Sequence, residues 1–321
     1  MKFFVLFLLL LCKSIQGYSN TAWDQDFEPW WSGTLLTSPG VVEKAGHITN
    51  RTFFYYQNEC DKYDSHWNRI QNAHFVTMTY RIQTFVGLVK NIDLESDVYF
   101  LRQETHQQKD ANISNFQLRL AYQILKEQEN SLKPNCLVFV REIFPLGKHE
   151  HLNPSRLKTD GTSDGCFYTV FGLYAEKVFK NSKEHSLRVV GNFNYGIRTN
   201  RVSLSGYNFF GGDYNTKGTI LPGNYLILTL GIEQHLTKHL EFVLDLSYQH
   251  VNKNSFYGFA GTTPLSPATI NTNSIESITI VPTIAYNFNK HMHLELGVIT
   301  SIAGRNTSAI YTPSIVFKAN W

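Results

Sequence analysis

"LTKHLEFVLDLSYQH", residues 236–250, decides the fold of this chain. In an extended backbone Leu240, Phe242, Leu244, Leu246 and Tyr248 share one face, and Glu241, Asp245, Ser247 and Gln249 share the other. The plan returns in "LVKNIDLESDVYF" (88–100) and "FNKHMHLELGVIT" (288–300). Each passes from an apolar residue and one spacer through Lys-Asn or Lys-His into alternation with acids on one face. Three copies of one turn and one strand describe a repeating hairpin.

Working outward, strand-length segments fall near 46–57, 73–85, 92–102, 115–125, 135–144 and 166–178. Six more fall near 186–197, 223–235, 240–252, 274–287, 292–303 and 308–321. Each is long enough for the roughly 9–11 residues of a membrane strand. The connections at Lys90-Asn91, Glu127–Pro134, Asn181–His185, Lys238-His239 and Lys290-His291 are short. Those at 58–72, 103–114, 145–165, 198–222 and 253–273 are long and polar; only the last, near Gly304–Thr307, is brief. Loop length sorted by parity is the layout of a transmembrane, antiparallel, up-and-down β-barrel of twelve strands, with short periplasmic turns and long extracellular loops. The even strand number puts both ends of the wall in the periplasm. The repeated stretches are then strand starts after tight periplasmic turns.

The faces fit such a wall. Outward sets are Phe116, Leu118, Leu120, Tyr122 and Ile124; Leu187, Val189, Phe193 and Tyr195; Met292, Leu294, Leu296 and Val298. The residues expected to line the lumen are Arg81, Asp93, Glu95, Asp97, Arg119, Arg188, Glu241, Asp245, His293, Glu295 and Lys318. Thr77, Thr79, Gln83, Gln117, Gln123 and Gln249 lie beside them. A charge facing lipid at mid-depth costs about 2–4 kcal/mol, so these side chains belong inside. If water fills the lumen, their acidic excess predicts a preference for cations. Segments 47–56, 166–175 and 225–231 declare no face.

The start of the chain reads as a secretory signal: Met1-Lys2, ten apolar residues from Phe3 to Cys12, then a cut after Gly17. That run is too short for a membrane helix, which takes about 20 residues. The organisation is therefore a signal peptide (1–17), an N-terminal extension (18–45) and the barrel (46–321). Three Trp with Gly and Pro in the extension fit either an ordered piece at the periplasmic mouth or in the lumen, or a periplasmic tail. Charged residues are 17% of the chain, below the roughly 25% of soluble proteins. The net charge of +3 is too small to imply a nucleic-acid partner. Cys60, Cys136 and Cys166 are an odd number after signal removal and read as small buried apolar side chains.

"YTPSIVFKANW" (311–321) sets Tyr311, Ile315, Phe317 and the last residue, Trp321, on one face. A final strand closing on an aromatic residue resembles the signal read by the outer-membrane assembly machinery of Gram-negative bacteria. The expected partners are that machinery, outer-membrane lipid with lipopolysaccharide, and a small-molecule solute.

Four stretches together carry a family resemblance: "WWSGTLLTSPGVVEKAGH", "VREIFPLGKHEHLNPSRLKTDGTSDG" (140–165), "SGYNFFGGDYNTKGTILPGN" (205–224) and "GIEQHLTKHLEFVLDLSY" (231–248). They resemble the outer-membrane proteins grouped as "meta-pathway of phenol degradation" transporters. In that family a strand ends in a Phe-Pro-x-Gly-like stretch followed by a Gly-rich return, here Phe144-Pro145-Leu146-Gly147 and Gly161–Gly165. The resemblance implies a β-barrel and the passage of small, aromatic or hydrophobic compounds.

No motif calls for a cofactor, a metal or a catalytic residue. Tyr248-Gln249-His250-Val251-Asn252 resembles the strand of outer-membrane phospholipases, but Asn252 stands where their Ser would be, and an amide is no nucleophile. His149-Glu150-His151 lacks the third and fourth converging ligands of a zinc site. The glycines of 205–224 precede no P-loop Lys-Ser/Thr. The chain therefore reads as a passive channel or transporter, with a non-conducting surface or interaction protein as the alternative and a barrel lipid hydrolase as the weakest reading.

Overall fold

The computed structural model describes residues 30–105, 107–128, 131–156, 158–180, 186–262 and 267–321. The signal peptide expected over 1–17, residues 18–29 of the extension and the turn expected at 181–185 lie outside the described residues.

Among the described residues fifteen strands follow one another: β1 (Ile48–Tyr63), β2 (Arg69–Val89), β3 (Ile92–Glu104), β4 (Lys109–Leu125), β5 (Asn135–Pro145), β6 (Tyr168–Lys180), β7 (Ser186–Arg198), β8 (Val202–Ser205), β9 (Lys217–Leu221), β10 (Tyr225–His235), β11 (Leu240–Val251), β12 (Ser255–Phe259), β13 (Ile275–Asn289), β14 (Met292–Arg305) and β15 (Thr307–Asn320). Twelve of them form a closed barrel in which sequence neighbours pair, and β8, β9 and β12 form a separate three-stranded sheet. Every wall pairing is antiparallel, and β1 meets β15 from Thr49↔Asn320 to Tyr63↔Thr307 to close the cylinder. Closure leaves no unpaired edge, which a strand wall in lipid requires. Among the described residues no helix is long and apolar enough to cross a membrane. The wall crosses with strands.

The alternation in sequence is the alternation in space. Phe54, Leu120, Phe171, Leu230, Ile284, Leu296 and Ile315 are exposed on the outside, while Asp93, Glu95, Asp97, Glu233, Glu241, Asp245 and Glu295 are 1% exposed or less inside. A soluble barrel would invert this order. The polar-in, apolar-out arrangement is that of an outer-membrane barrel.

Each repeated turn has a local device that reverses the chain. Asn289 Oδ1 accepts the N–H groups of His291 and Met292 at 2.8 and 3.0 Å. Thr237 Oγ1 does the same for His239 and Leu240 at 3.2 and 3.1 Å. At Lys90-Asn91 the reversal falls on Asn91, whose φ is 73°, a left-handed conformation that Asn tolerates better than most residues. The spacer and Lys-His or Lys-Asn are thus turn chemistry.

Three expectations need correction. Most of 58–72 and 103–114 is strand, because the β1–β2 and β3–β4 ladders continue as far as Tyr63↔Arg69 and Glu104↔Lys109. Both faces of such extensions meet water, so no apolar side announces them. Cys60 is exposed, unlike the buried Cys136 and Cys166; all three thiols are free. Against β15 it is the extra residue of a bulge, since Glu59 pairs with Ile310 and Asp61 with Ala309. Leu187, expected at the lipid face, is buried at 2% exposure.

Candidate functional site

The lumen concentrates buried charge. Cross-strand register brings acids and bases face to face: Glu95 lies opposite Arg119 and Arg188 opposite Glu233. Arg119 reaches Asp93 at 3.1 Å and Glu95 at 2.6 Å. Arg81 grips Asp97 through Nε and Nη2, the shortest contact being 2.6 Å. Arg188 binds Glu233 at 2.6 Å and stands 3.8 Å from Glu176. Arg51 pairs with Glu295 at 3.2 Å, and Arg141 reaches Glu95 at 3.4 Å. His293 Nδ1 meets Asn287 Oδ1, and Asn287 Nδ2 donates to Glu241.

Across the periplasmic half of this charged wall lies the chain's own segment 30–45. Its backbone N–H groups donate to wall side chains in succession: Ser32 to Glu241 at 3.3 Å, Leu36 to Asp245 at 3.2 Å and Ser38 to Asn192 at 2.6 Å. Gly40 donates to Glu176 at 3.0 Å, Val42 to Gln123 at 2.8 Å and Glu43 to Asp93 at 2.9 Å. Its carbonyls accept in return, Trp31 O from Lys318 at 2.8 Å and Thr34 O from Arg51 at 2.6 Å. Thr37 Oγ1 adds a bond to Asp245 at 3.1 Å. A segment without regular structure must find partners for its backbone somewhere. Here the lumenal side chains supply them, and the segment, called the stopper below, lies across the lumen.

The wall is also shaped for it. A Cβ added at Gly231 would lie 2.4 Å from Thr37 Oγ1, one at Gly297 would lie 2.4 Å from Leu35 Cδ1, and one at Gly87 would lie 1.9 Å from Lys44 O. These glycines sit on β10, β14 and β2. At Gly87 the contact is with backbone, so a side chain there would displace the segment; at Gly231 and Gly297 it is with the side-chain ends of Thr37 and Leu35, which would have to shift. Its apolar contacts are few: Leu35 and Leu36 against Phe53, Val281 and Val316, and Val42 against the cluster that includes Leu137 and Phe139. At the periplasmic end Trp31 packs edge-on to His235 with ring centroids 4.3 Å apart, and Lys238 Nζ stands 4.7 Å from the centroid of Trp30. The Lys-His turn thus also holds the stopper.

Above the stopper is a cavity of about 570 Å³. Its floor is Leu35, Leu36, Thr37 and Ser38, and it reaches Glu59, Thr307 and Ser308 at the outer rim. Tyr99, Tyr174, Tyr225 and Ile227 give it an aromatic and apolar side. The charged residues on its surface are Arg51, Arg81, Arg141 and Glu59. Opposite that outlet, the mouth is covered: Val202, Leu204, Phe210 and Ile220 from the outer loops pack with Cys166, Tyr168 and Val170 in one apolar cluster.

The residues named from the sequence fall into two groups. Asp93, Glu95, Arg119, Arg188, Glu241, Asp245, His293, Glu295 and Lys318 contact the segment or the ion pairs around it. Arg81 and Asp97 stand at cavity level. The acidic excess that predicts cation preference does not face the open space: Glu95, Asp97 and Glu295 are bound behind arginines, and Glu241 and Asp245 are covered by the stopper. Sequence reading missed Arg51, Arg141, Glu176, Asn192, Glu233, His235 and Asn287. Arg51 and Arg141 alternate with Phe53 and Phe139, so their strands show no polar face.

The remaining motifs stay apart from the lumen network. His250 bonds Asn252 at 3.0 Å and Glu276 at 3.2 Å. Among the described residues no group of three or more His, Cys, Asp or Glu is placed to hold a metal ion.

No family model and no curated protein matches this chain. Among solved structures it is similar to an outer membrane channel from Pseudomonas putida F1, with a TM-score of 0.63 at 8% identity over 94% of this chain and 100% of that one. The Pseudomonas putida toluene transporter TodX aligns at TM-score 0.43 and 10% identity, covering 92% of this chain and 94% of its own. The β domain of a Bordetella autotransporter aligns at 0.45 and 9%, over 87% and 100%. At such identities the first likeness is one of fold. The class so defined is an outer-membrane β-barrel.

Proposed function

We propose that the chain is a passive channel for small solutes across the outer membrane, closed at its periplasmic end by its own residues 30–45. The observation that carries this is how the stopper is held. A permanent seal would be apolar and would leave a void in water if removed. This one is held mainly by Asp93, Gln123, Glu176, Asn192, Glu241 and Asp245, side chains that water can satisfy once the stopper leaves. Twelve strands stand between eight, where side chains fill the interior, and sixteen, where water does. The 570 Å³ cavity above the stopper fits that middle case.

The outer membrane channel of similar fold supports this reading, as does the resemblance to the meta-pathway transporters, which implies solutes that are small and aromatic or hydrophobic. Export by the N-terminal signal and assembly through the strand ending at Trp321 belong to the same proposal, as do lipopolysaccharide contacts at the rim. No catalytic role is assigned.

A second reading, a non-conducting surface protein, draws on the separate sheet of β8, β9 and β12. Proteoliposome swelling decides between them. Small neutral sugars should enter through the wild type slowly and through the double variant Glu241→Ala/Asp245→Ala faster, since that variant removes acceptors for Ser32, Leu36 and Thr37. Exclusion of every sugar by both proteins would overturn the channel and favour the surface protein.

A further inference from the structure

We infer that the cavity above the stopper is a binding site for a small anion with a planar apolar body, an aromatic carboxylate being the simplest example. The inference rests on the reading of the lumen as a solute path and names the solute that the path selects. It reverses the charge preference expected from the sequence, because the wall acids and the wall bases are not equally accessible.

Three arginines from three strands reach the cavity: Arg51 on β1, Arg81 on β2 and Arg141 on β5. Arg51 and Arg81 flank one ring, lying 4.8 and 4.5 Å from the Phe53 centroid. Their acidic partners lie behind them, with side-chain exposures of 0% for Glu295 and 1% for Asp97 and Glu95, against 6%, 16% and 15% for the arginines. The one acid on the cavity surface, Glu59, is at the rim and accepts from Gln57 at 2.6 Å. An incoming solute therefore meets guanidinium groups.

These guanidinium groups have capacity left over. The Nε atoms of Arg51 and Arg141 are buried without a hydrogen-bond partner. Arg141 is the less committed of the two, since its Nη2 contacts with Glu95 are 3.4 and 3.5 Å. Glu95 does not need it, being held by Arg119 at 2.6 Å and by Gln83 at 2.8 Å. With 15% of its side chain exposed and only long contacts to Glu95, the Arg141 guanidinium can turn toward an oxygen offered from the cavity. Arginine presents a planar fork that matches a carboxylate. Tyr99, Tyr174 and Tyr225 stand on the same cavity surface, and aromatic rings pack flat apolar bodies well. The volume lies within the roughly 300–1,000 Å³ of small-molecule sites.

The probes are benzoate, benzyl alcohol and benzylammonium, titrated calorimetrically into the purified full chain in detergent. Benzoate should bind at least tenfold more tightly than either of the others. Arg141→Gln should lower benzoate affinity tenfold or more and leave benzyl alcohol unchanged, and Arg141→Lys should recover part of the loss. Heat-modifiable migration reports whether each variant is folded, and the three-ligand comparison on the wild type needs no variant. Equal affinities for the three probes, or no benzoate binding, would overturn the inference. Proteoliposome swelling keeps the two readings apart: sugar entry without benzoate preference leaves the channel and removes the anion site. Benzoate binding that depends on Arg141, in a barrel that admits no sugar, leaves the site and removes the channel.

Discussion

Arg119 is 2% exposed and holds both Asp93 and Glu95, while Asp93 in turn accepts from the backbone of Glu43 in the stopper. Removing one member of a buried ion network leaves the others charged and unpaired, at a cost of about 3–5 kcal/mol. Arg119→Gln should therefore lower the urea midpoint of barrel unfolding and the temperature at which gel mobility shifts. Arg102→Gln should leave both unchanged, because its pair with Glu104 is half exposed. Equal effects would show that the lumenal network does not stabilise the wall. Much of this network was legible residue by residue: charges alternating with Leu and Val on one strand have no place but the inside. The illegible positions share a cause. Segments 47–56, 166–175 and 225–231 declare no face because their inward residues include Phe53, Tyr55, Val170, Tyr174 and Ile227, which are themselves apolar or aromatic. Val170, Tyr174 and Ile227 are among the apolar and aromatic residues on the cavity surface, beside polar ones from most of the other wall strands.

Among the elements, the hairpins were the most readable and the outer loops the least. Turn chemistry is local, so Asn289, Thr237 and Asn91 mark their reversals in any context. The ladders of β1–β2 and β3–β4 beyond the membrane depend on pairing between strands with water on both sides, which leaves no periodicity. The bulge at Cys60 gives this region a native reporter. Cys60 is exposed toward the outer end of β1. Cys166 lies at the start of the covered side of the mouth, where burial first and the nearby Asp164 second push its thiol up to about 12. Thiolates react and thiols do not. A membrane-impermeant maleimide on intact cells should label one site, and Cys60→Ser should abolish the labelling. Labelling that persists in Cys60→Ser would place Cys136 or Cys166 at the surface and contradict the loop packing. A tag after Tyr214, which is 70% exposed, should be reached from outside and one after Lys238 should not.

At the scale of the whole molecule, tertiary structure joins a charged wall to an extension whose place the sequence left open between mouth, lumen and periplasm. Wall residues from Thr49 to Lys318 supply the partners of the segment at 30–45, and nothing in a single sequence reports that pairing. The glycine notches at Gly87, Gly231 and Gly297 were visible only as strand glycines, which weaken a strand unless something approaches closely. The central claim is that this segment closes the lumen reversibly. Single-channel recording in planar bilayers tests it directly, on the Glu241→Ala/Asp245→Ala protein carrying Thr37→Cys with Gly231→Cys, residues already close enough for a crosslink. With the pair reduced, the loosened stopper should give current steps several-fold larger than wild type. Oxidation should fasten it back to the wall and return the steps to wild-type size or below, and reductant should restore them. Steps of one size in the wild type, the oxidised and the reduced protein would contradict the account.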